Sequence, residues 1–176
     1  PASVVPGQSV RMFEFNTTQL LVVTGIVREL QPGVDYVATA APGGILAIIP
    51  LKPLKEMTSY MVVLTNDIND TAGNDATPSG FYHLTKSQTP WLDESGNSTT
   101  PFFDNATAAL LETLRGFTFS MEAAAASVGI PKEDIVISWT GLTQSVTPVL
   151  KHLRSTVRPA PTQVAPTGLN TSILGA

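Results

Sequence analysis

Residues 1 to about 90 are built from short runs of β-branched and aromatic residues, each closed by Gly, Pro, Asn or Asp. The runs are Val4-Val5, Val10 to Phe15, Leu20 to Val23, Tyr36 to Thr39, Ile45 to Ile49 and Tyr60 to Leu64. Such runs, at a spacing close to 8–12 residues, are the signature of strands in a sandwich or small barrel. Between them there is none of the helical periodicity that parallel crossovers need, so the pairing is predicted to be antiparallel. Pro42-Gly43-Gly44 separates two of the runs and reads as a hairpin connection, since glycine tolerates the positive φ of a tight turn.

The pattern changes after residue 91. Leu110, Leu114, Phe117, Met121, Ala124 and Val128 recur at steps of four and three, the period of one long helix with a single buried stripe. Asn105 is the expected N-cap, Glu112 is expected to favour the positive end of the helix dipole, and Gly129-Ile130-Pro131 is the expected stop. Asp134 to Thr140 reads as a further strand, with Trp139 alternating with Ile137 and Ile135 and packing against the long helix. Thr147-Pro148 opens a second helix that carries Val149, Leu150 and Leu153 on one side and Lys151, His152 and Arg154 near its end. The predicted fold is therefore mainly β (α+β): an Ig-like antiparallel β-sandwich with one long and one short helix added C-terminally. Its domain is expected to span residues 1–157. Residues 158–176, rich in Pro, Thr and Ala, are expected to form an extended linker.

Composition narrows the function classes. The chain has 176 residues, a net charge of −4 and 14% charged residues, too few basic groups for a nucleic-acid footprint. It has no Cys, which excludes disulfide frameworks, thiol nucleophiles and Cys-bearing zinc sites. No stretch approaches the roughly 20 apolar residues of a membrane span. The start at Pro1-Ala2-Ser3, without Met or a signal-peptide profile, suggests a piece of a longer protein.

Candidate chemistry is sparse. A nucleophile elbow needs Ser on a strand-to-helix turn in the form G-x-S-x-G. Gly7-Gln8-Ser9-Val10-Arg11 lacks the second glycine, and Ala125-Ala126-Ser127-Val128-Gly129 falls at the end of the long helix, where Ser127 is an ordinary terminal residue. His83 and His152 have no partner at metal-ligand spacing. Asp67, Asn69, Asp70, Asn74 and Asp75 crowd one loop, and Asp67, Asp70 and Asp75 are candidate calcium ligands. They miss the alternating spacing of an EF-hand, and turn formation accounts for the same residue types more economically. No other cofactor is indicated. Trp91, beside Pro90 and Leu92, is a candidate exposed aromatic for lipid or a neighbouring domain.

Two segments are more specific. The first runs Leu46-x-Ile48-Ile49-Pro50-Leu51-Lys52-Pro53-Leu54, then Thr58-Ser59-Tyr60-x-Val62-Val63-Leu64-Thr65-Asn66-x-Ile68-x-Asp70-x-x-Gly73-Asn74. The second, after the long helix, is Ile135-Val136-Ile137-Ser138-Trp139-Thr140-x-x-Thr143-Gln144-Ser145. In this order they resemble the N-terminal domain of the bacterial virulence-factor lipase family, over most of residues 20–157. Gly141-Leu142 departs from the aromatic residue expected after Trp139-Thr140. The resemblance implies an exported, extracellular or outer-membrane-surface lipase or lysophospholipase of a Gram-negative bacterium. Its serine hydrolase machinery would lie downstream on an α/β-hydrolase unit of the same chain, which would also be the route to lipid substrate. No catalytic residue of the family falls on a position here. The implied role is a non-catalytic accessory domain; the alternative is an extracellular adhesion or carbohydrate-binding module using Trp91 and the Asp67–Asp75 loop.

Overall fold

The computed structural model describes residues 2–18 and 22–157. The chain divides into two compact units, residues 1–144 and 145–176. Among the described residues the first holds six strands, β1 (Val10–Thr17), β2 (Val23–Glu29), β3 (Tyr36–Ala41), β4 (Ile45–Pro50), β5 (Ser59–Thr65) and β6 (Ile135–Leu142), with helices α1 (Gly80–Thr85) and α2 (Asn105–Ser127) between β5 and β6. The second holds α3 (Thr147–Val157). Residues 158–176, the expected linker, lie outside the described residues.

The strands form two antiparallel sheets, one ordered β2-β1-β5-β6 and the other the β3–β4 hairpin. The mainly β architecture with one long and one short C-terminal helix is thus as expected. Strand alternation explains the layering. On one face of β1 and β5, Phe13, Phe15, Met61 and Val63 join Met121, Ala124 and Ala125 of α2. On the other face, Val10, Met12, Tyr60 and Val62 join Tyr36 and Ala38 of the hairpin. The order is hairpin, four-stranded sheet, helix. Because both faces are covered, β1 and β5 read as nearly continuous apolar runs. The hairpin turns through Gly43 and Gly44, both at positive φ, and it pairs Ala41 with Ile45 as the turn residues predict.

The helix α2 differs from expectation at its start and in its phase. Asp104, one residue before Asn105, is the N-cap, its carboxylate accepting from the Thr107 amide at 2.7 Å; Asn105 instead accepts from Ser98 N–H. The buried stripe is Ala108, Leu111, Thr118, Met121, Glu122, Ala124 and Ala125, and Leu110 is exposed. The alanines let the backbone approach the sheet closely. The stop is as predicted: Gly129 at φ 82 closes a Schellman motif, with Gly129 N–H on Ala126 O and Ile130 N–H on Ala125 O. Glu112 lies two turns into the helix, where it pairs with Arg115 and accepts from Trp91 N–H at 2.9 Å, so it does not serve the dipole at the N-terminus.

Other expectations shift for local reasons. Val4-Val5 form no strand; the Val5 amide is held by Ser9 Oγ at 2.8 Å in a turn entering β1. The strand expected at residues 20–23 begins at Val23 and runs on to Glu29; residues 19–21 lie outside the described residues. The helix α1 has no counterpart in the sequence reading. In β6 a bulge sets Leu64 opposite Ile137 and Thr65 opposite Ile135, leaving Val136 as the extra residue. An extra residue reverses the alternation, so Ile135 and Ser138 are buried and Trp139 remains 41% exposed.

Candidate functional site

The serines and the loop carboxylates are each held in a specific local role. Ser127 donates to Ala124 O at 2.6 Å, folding back on its own helix. Ser9, buried under the N-terminal turn, donates to Ser3 O at 2.6 Å. His83 sits exposed in the last turn of α1, and His152 is exposed on α3 of the second unit. In the Asp67–Asp75 loop, Asp70 accepts from the amides of Ala72 (2.8 Å) and Asn74 (2.9 Å) and from Asn74 Nδ2 (2.8 Å), with Gly73 at positive φ. These bonds hold the Asp70 carboxyl below the ordinary carboxylate range, the Asn74 side chain contributing most. Asp75 accepts from Asn69 Nδ2 at 2.6 Å and Asp67 from Thr65 Oγ1 at 3.0 Å. Of the calcium candidates, Asp70 thus builds the Asx turn, and Asp67 and Asp75 each accept a side-chain hydrogen bond within the loop. Among the described residues no three His, Asp or Glu side chains are grouped as a metal site would need.

A polar cluster that the sequence reading did not single out lies under α2. Glu122 is 2% exposed and meets Lys86 Nζ at 3.1 Å. Lys86 also donates to Lys132 O (2.6 Å) and Ile135 O (2.8 Å), so its three donors are all engaged. The Tyr82 hydroxyl lies 2.8 Å from Ser138 Oγ and donates to Glu122 at 3.4 Å. Burial raises the Glu122 carboxyl above its ordinary value against the pull of Lys86, and burial likewise pushes the Tyr82 phenol up. The Tyr82 hydroxyl thus stands between Ser138 and Glu122, bonded to both. What the cluster does is tie α1, α2 and β6 together through one fully bonded set of polar groups. A signal for Glu122 was present in the sequence: it stands four residues after Thr118 and eleven after Leu111, on the helix's buried stripe.

Above this cluster opens an apolar cleft of about 280 Å³. Phe81 of α1, Leu114 and Phe117 of α2 and Trp139 of β6 form its walls, with Tyr82 and Ser138 at its floor. Phe81 is 61% exposed. The cleft adjoins β6, which is the last strand of its sheet and ends in exposed Gly141 and Leu142. An exposed strand edge beside a ring-lined cleft offers both backbone and apolar side-chain contacts to a partner. The expected aromatic at Trp91 is placed differently. Its ring is half-buried, stacks edge-on against Phe103 at 5.5 Å and donates from Nε1 to Leu84 O at 3.1 Å. On the opposite side of the sheet a wider groove of about 580 Å³ lies between Ile45 and Leu46 of the hairpin, Ile68 and Val136, with Asp70 and Asp75 at its rim.

The chain matches a family model described as bacterial virulence factor lipase N-terminal, over residues 2–173. No curated protein and no solved structure matches it.

Proposed function

This chain belongs to the bacterial virulence factor lipase N-terminal family, and from that premise we propose that it is a non-catalytic accessory domain that seats a downstream α/β-hydrolase unit of the same protein. The observation that carries the reading is the family match across nearly the whole chain. The cleft of Phe81, Leu114, Phe117 and Trp139 beside the edge of β6 supports it as the contact surface, because apolar rings left exposed where α1, α2 and β6 meet suit a permanent neighbour. The engagement of Lys86 with Glu122 and of Ser127 with its own helix is in keeping with a positioning role. Among the described residues no helix is long and apolar enough to cross a membrane, and the reading places the protein outside the cell or at the outer-membrane surface. The carbohydrate-module alternative loses its main support, since Trp91 turns its ring inward.

Two measurements test this. The isolated chain is expected to give no turnover of short p-nitrophenyl esters; turnover abolished by a serine-directed phosphonate overturns the reading. In the parent lipase, Phe81→Ser with Trp139→Ser is expected to lower the melting temperature of the hydrolase unit while leaving the melt of the isolated chain nearly unchanged. An unaltered hydrolase melt removes the cleft as the contact surface.

A further inference from the structure

We propose that α3 is an interfacial helix that lies in the surface of an anionic lipid bilayer, its apolar face down among the acyl chains. This goes beyond the accessory role and does not depend on it. Val149, Leu150, Leu153 and Val157 follow one another at helical spacing, each more than half exposed, and no residue of α3 is buried. Val146, just before the helix, extends the same stripe and is exposed as well. Lys151, His152 and Arg154 occupy the remaining circumference. The hydroxyls of Ser155 (2.7 Å) and Thr156 (2.9 Å) bend back to His152 O, so that side of the helix satisfies its own polar groups.

The choice of a lipid surface over another occupant comes from charge. All fourteen Asp and Glu lie before Ile135, together with seven Lys and Arg; after it come Lys151, Arg154 and Arg158 and no acid. A net charge of −4 thus conceals a segment of purely positive sign. Among the described residues no ion pair engages Lys151 or Arg154. Long cationic side chains beside an apolar stripe lay their methylene stems along it and lift their charges to headgroup height. The 11 residues of α3 span roughly 16 Å at 1.5 Å per residue, suited to lying flat rather than crossing. The short apolar stripe gives modest binding, and anionic headgroups supply the second attraction that reversible anchoring needs.

The test is co-sedimentation of the 176-residue chain with phosphatidylcholine vesicles, with and without phosphatidylglycerol. The expected result is about tenfold tighter binding to the anionic vesicles, lost when about 1 M salt shortens the Debye length to about 3 Å. Leu150→Asp with Leu153→Asp should abolish binding with the thermal melt of residues 1–144 unchanged. Lys151→Gln with Arg154→Gln, which keeps the apolar stripe, should remove the preference for anionic vesicles. Equal binding to both vesicle types, no binding to either, or full binding by the double Asp variant each overturns the proposal. So does a wild-type oligomer in sedimentation velocity that the Asp pair converts to monomer without wild-type vesicle binding, since the stripe would then serve a second copy.

Discussion

The two faces of the central sheet each bury a carboxylate against a lysine, and the two sites behave in opposite ways. On the hairpin face Glu14 bonds Lys55 Nζ at 2.9 Å and Arg28 Nε at 3.0 Å. On the helix face Glu122 bonds Lys86 at 3.1 Å. Lys55 is 59% exposed and Lys86 15%. The Glu14 carboxyl is lowered, chiefly by the Lys55 hydrogen bond, which outweighs partial burial; the Glu122 carboxyl is raised, because burial outweighs Lys86. Contacts of ordinary length to cations thus accompany either sign of shift, with two cations at Glu14 and one hydrogen-bonded lysine at Glu122. The sites differ in burial and in the number of cations: desolvation leads at Glu122, while at Glu14 Lys55 leads and Arg28 adds to it.

The sharpest way to break the comparison is Lys86→Met, which strands Glu122 and frees the carbonyls of Lys132 and Ile135. A loss of about 3–5 kcal/mol in urea unfolding is expected, partly restored by adding Glu122→Leu. On the same buried face, Leu111→Ala is expected to cost about 2–5 kcal/mol in the same assay. Leu110→Ala, one position away and exposed, should cost less than about 0.5 kcal/mol. Glu14→Gln on the hairpin face, where the cations keep their water, should cost no more than about 1 kcal/mol at neutral pH.

The smallest effect is the most discriminating, because the pH dependence of the two sites has opposite sign. Lowering the Glu14 carboxyl stabilises the fold above its ordinary value of 4.5, and that contribution is lost as pH falls from there through the depressed folded value. Raising the Glu122 carboxyl does the reverse. The protein takes up a proton on folding just above 4.5, so the contribution is full below 4.5 and is lost as pH rises through the elevated folded value. Against its Gln variant at each site, the wild type should thus lose relative stability on acidification for Glu14 and gain it for Glu122. Equal signs in pH-dependent melts would mean that water reaches Glu122 as freely as Glu14.

Val4-Val5 and the bounds of β2 were not legible in the chain itself, whereas the β-runs at residues 10–15, 36–39, 45–49 and 60–64, the Gly43-Gly44 hairpin, the long helix with its Gly129 stop and the Thr147-Pro148 start of α3 were. Each is governed by backbone preference or by periodicity within a few neighbouring residues. The family was legible too, from two motifs in order. The misplacements fall on pairs that local preference leaves open: Asp104 and Asn105 are both good caps, and Leu110 and Leu111 are both good core residues. Which member of each pair is used depends on what stands opposite. The six-residue helix α1 is too short to declare itself by periodicity, and docking on α2 through Tyr82 sustains it.

By itself, then, the sequence determined most of the strands, the long helix and α3 in their order, and the segregation of all acids from the C-terminal cations. Tertiary structure alone decided which apolar residues are covered and which polar ones are trapped. A bulge at Val136 turned Ser138 inward and Trp139 toward a cleft, and the meeting of α1, α2 and β6 brought Lys86 to Glu122 across 36 positions of chain. Burial and desolvation are sums over neighbours distant in sequence, and no local pattern of residues carries that sum.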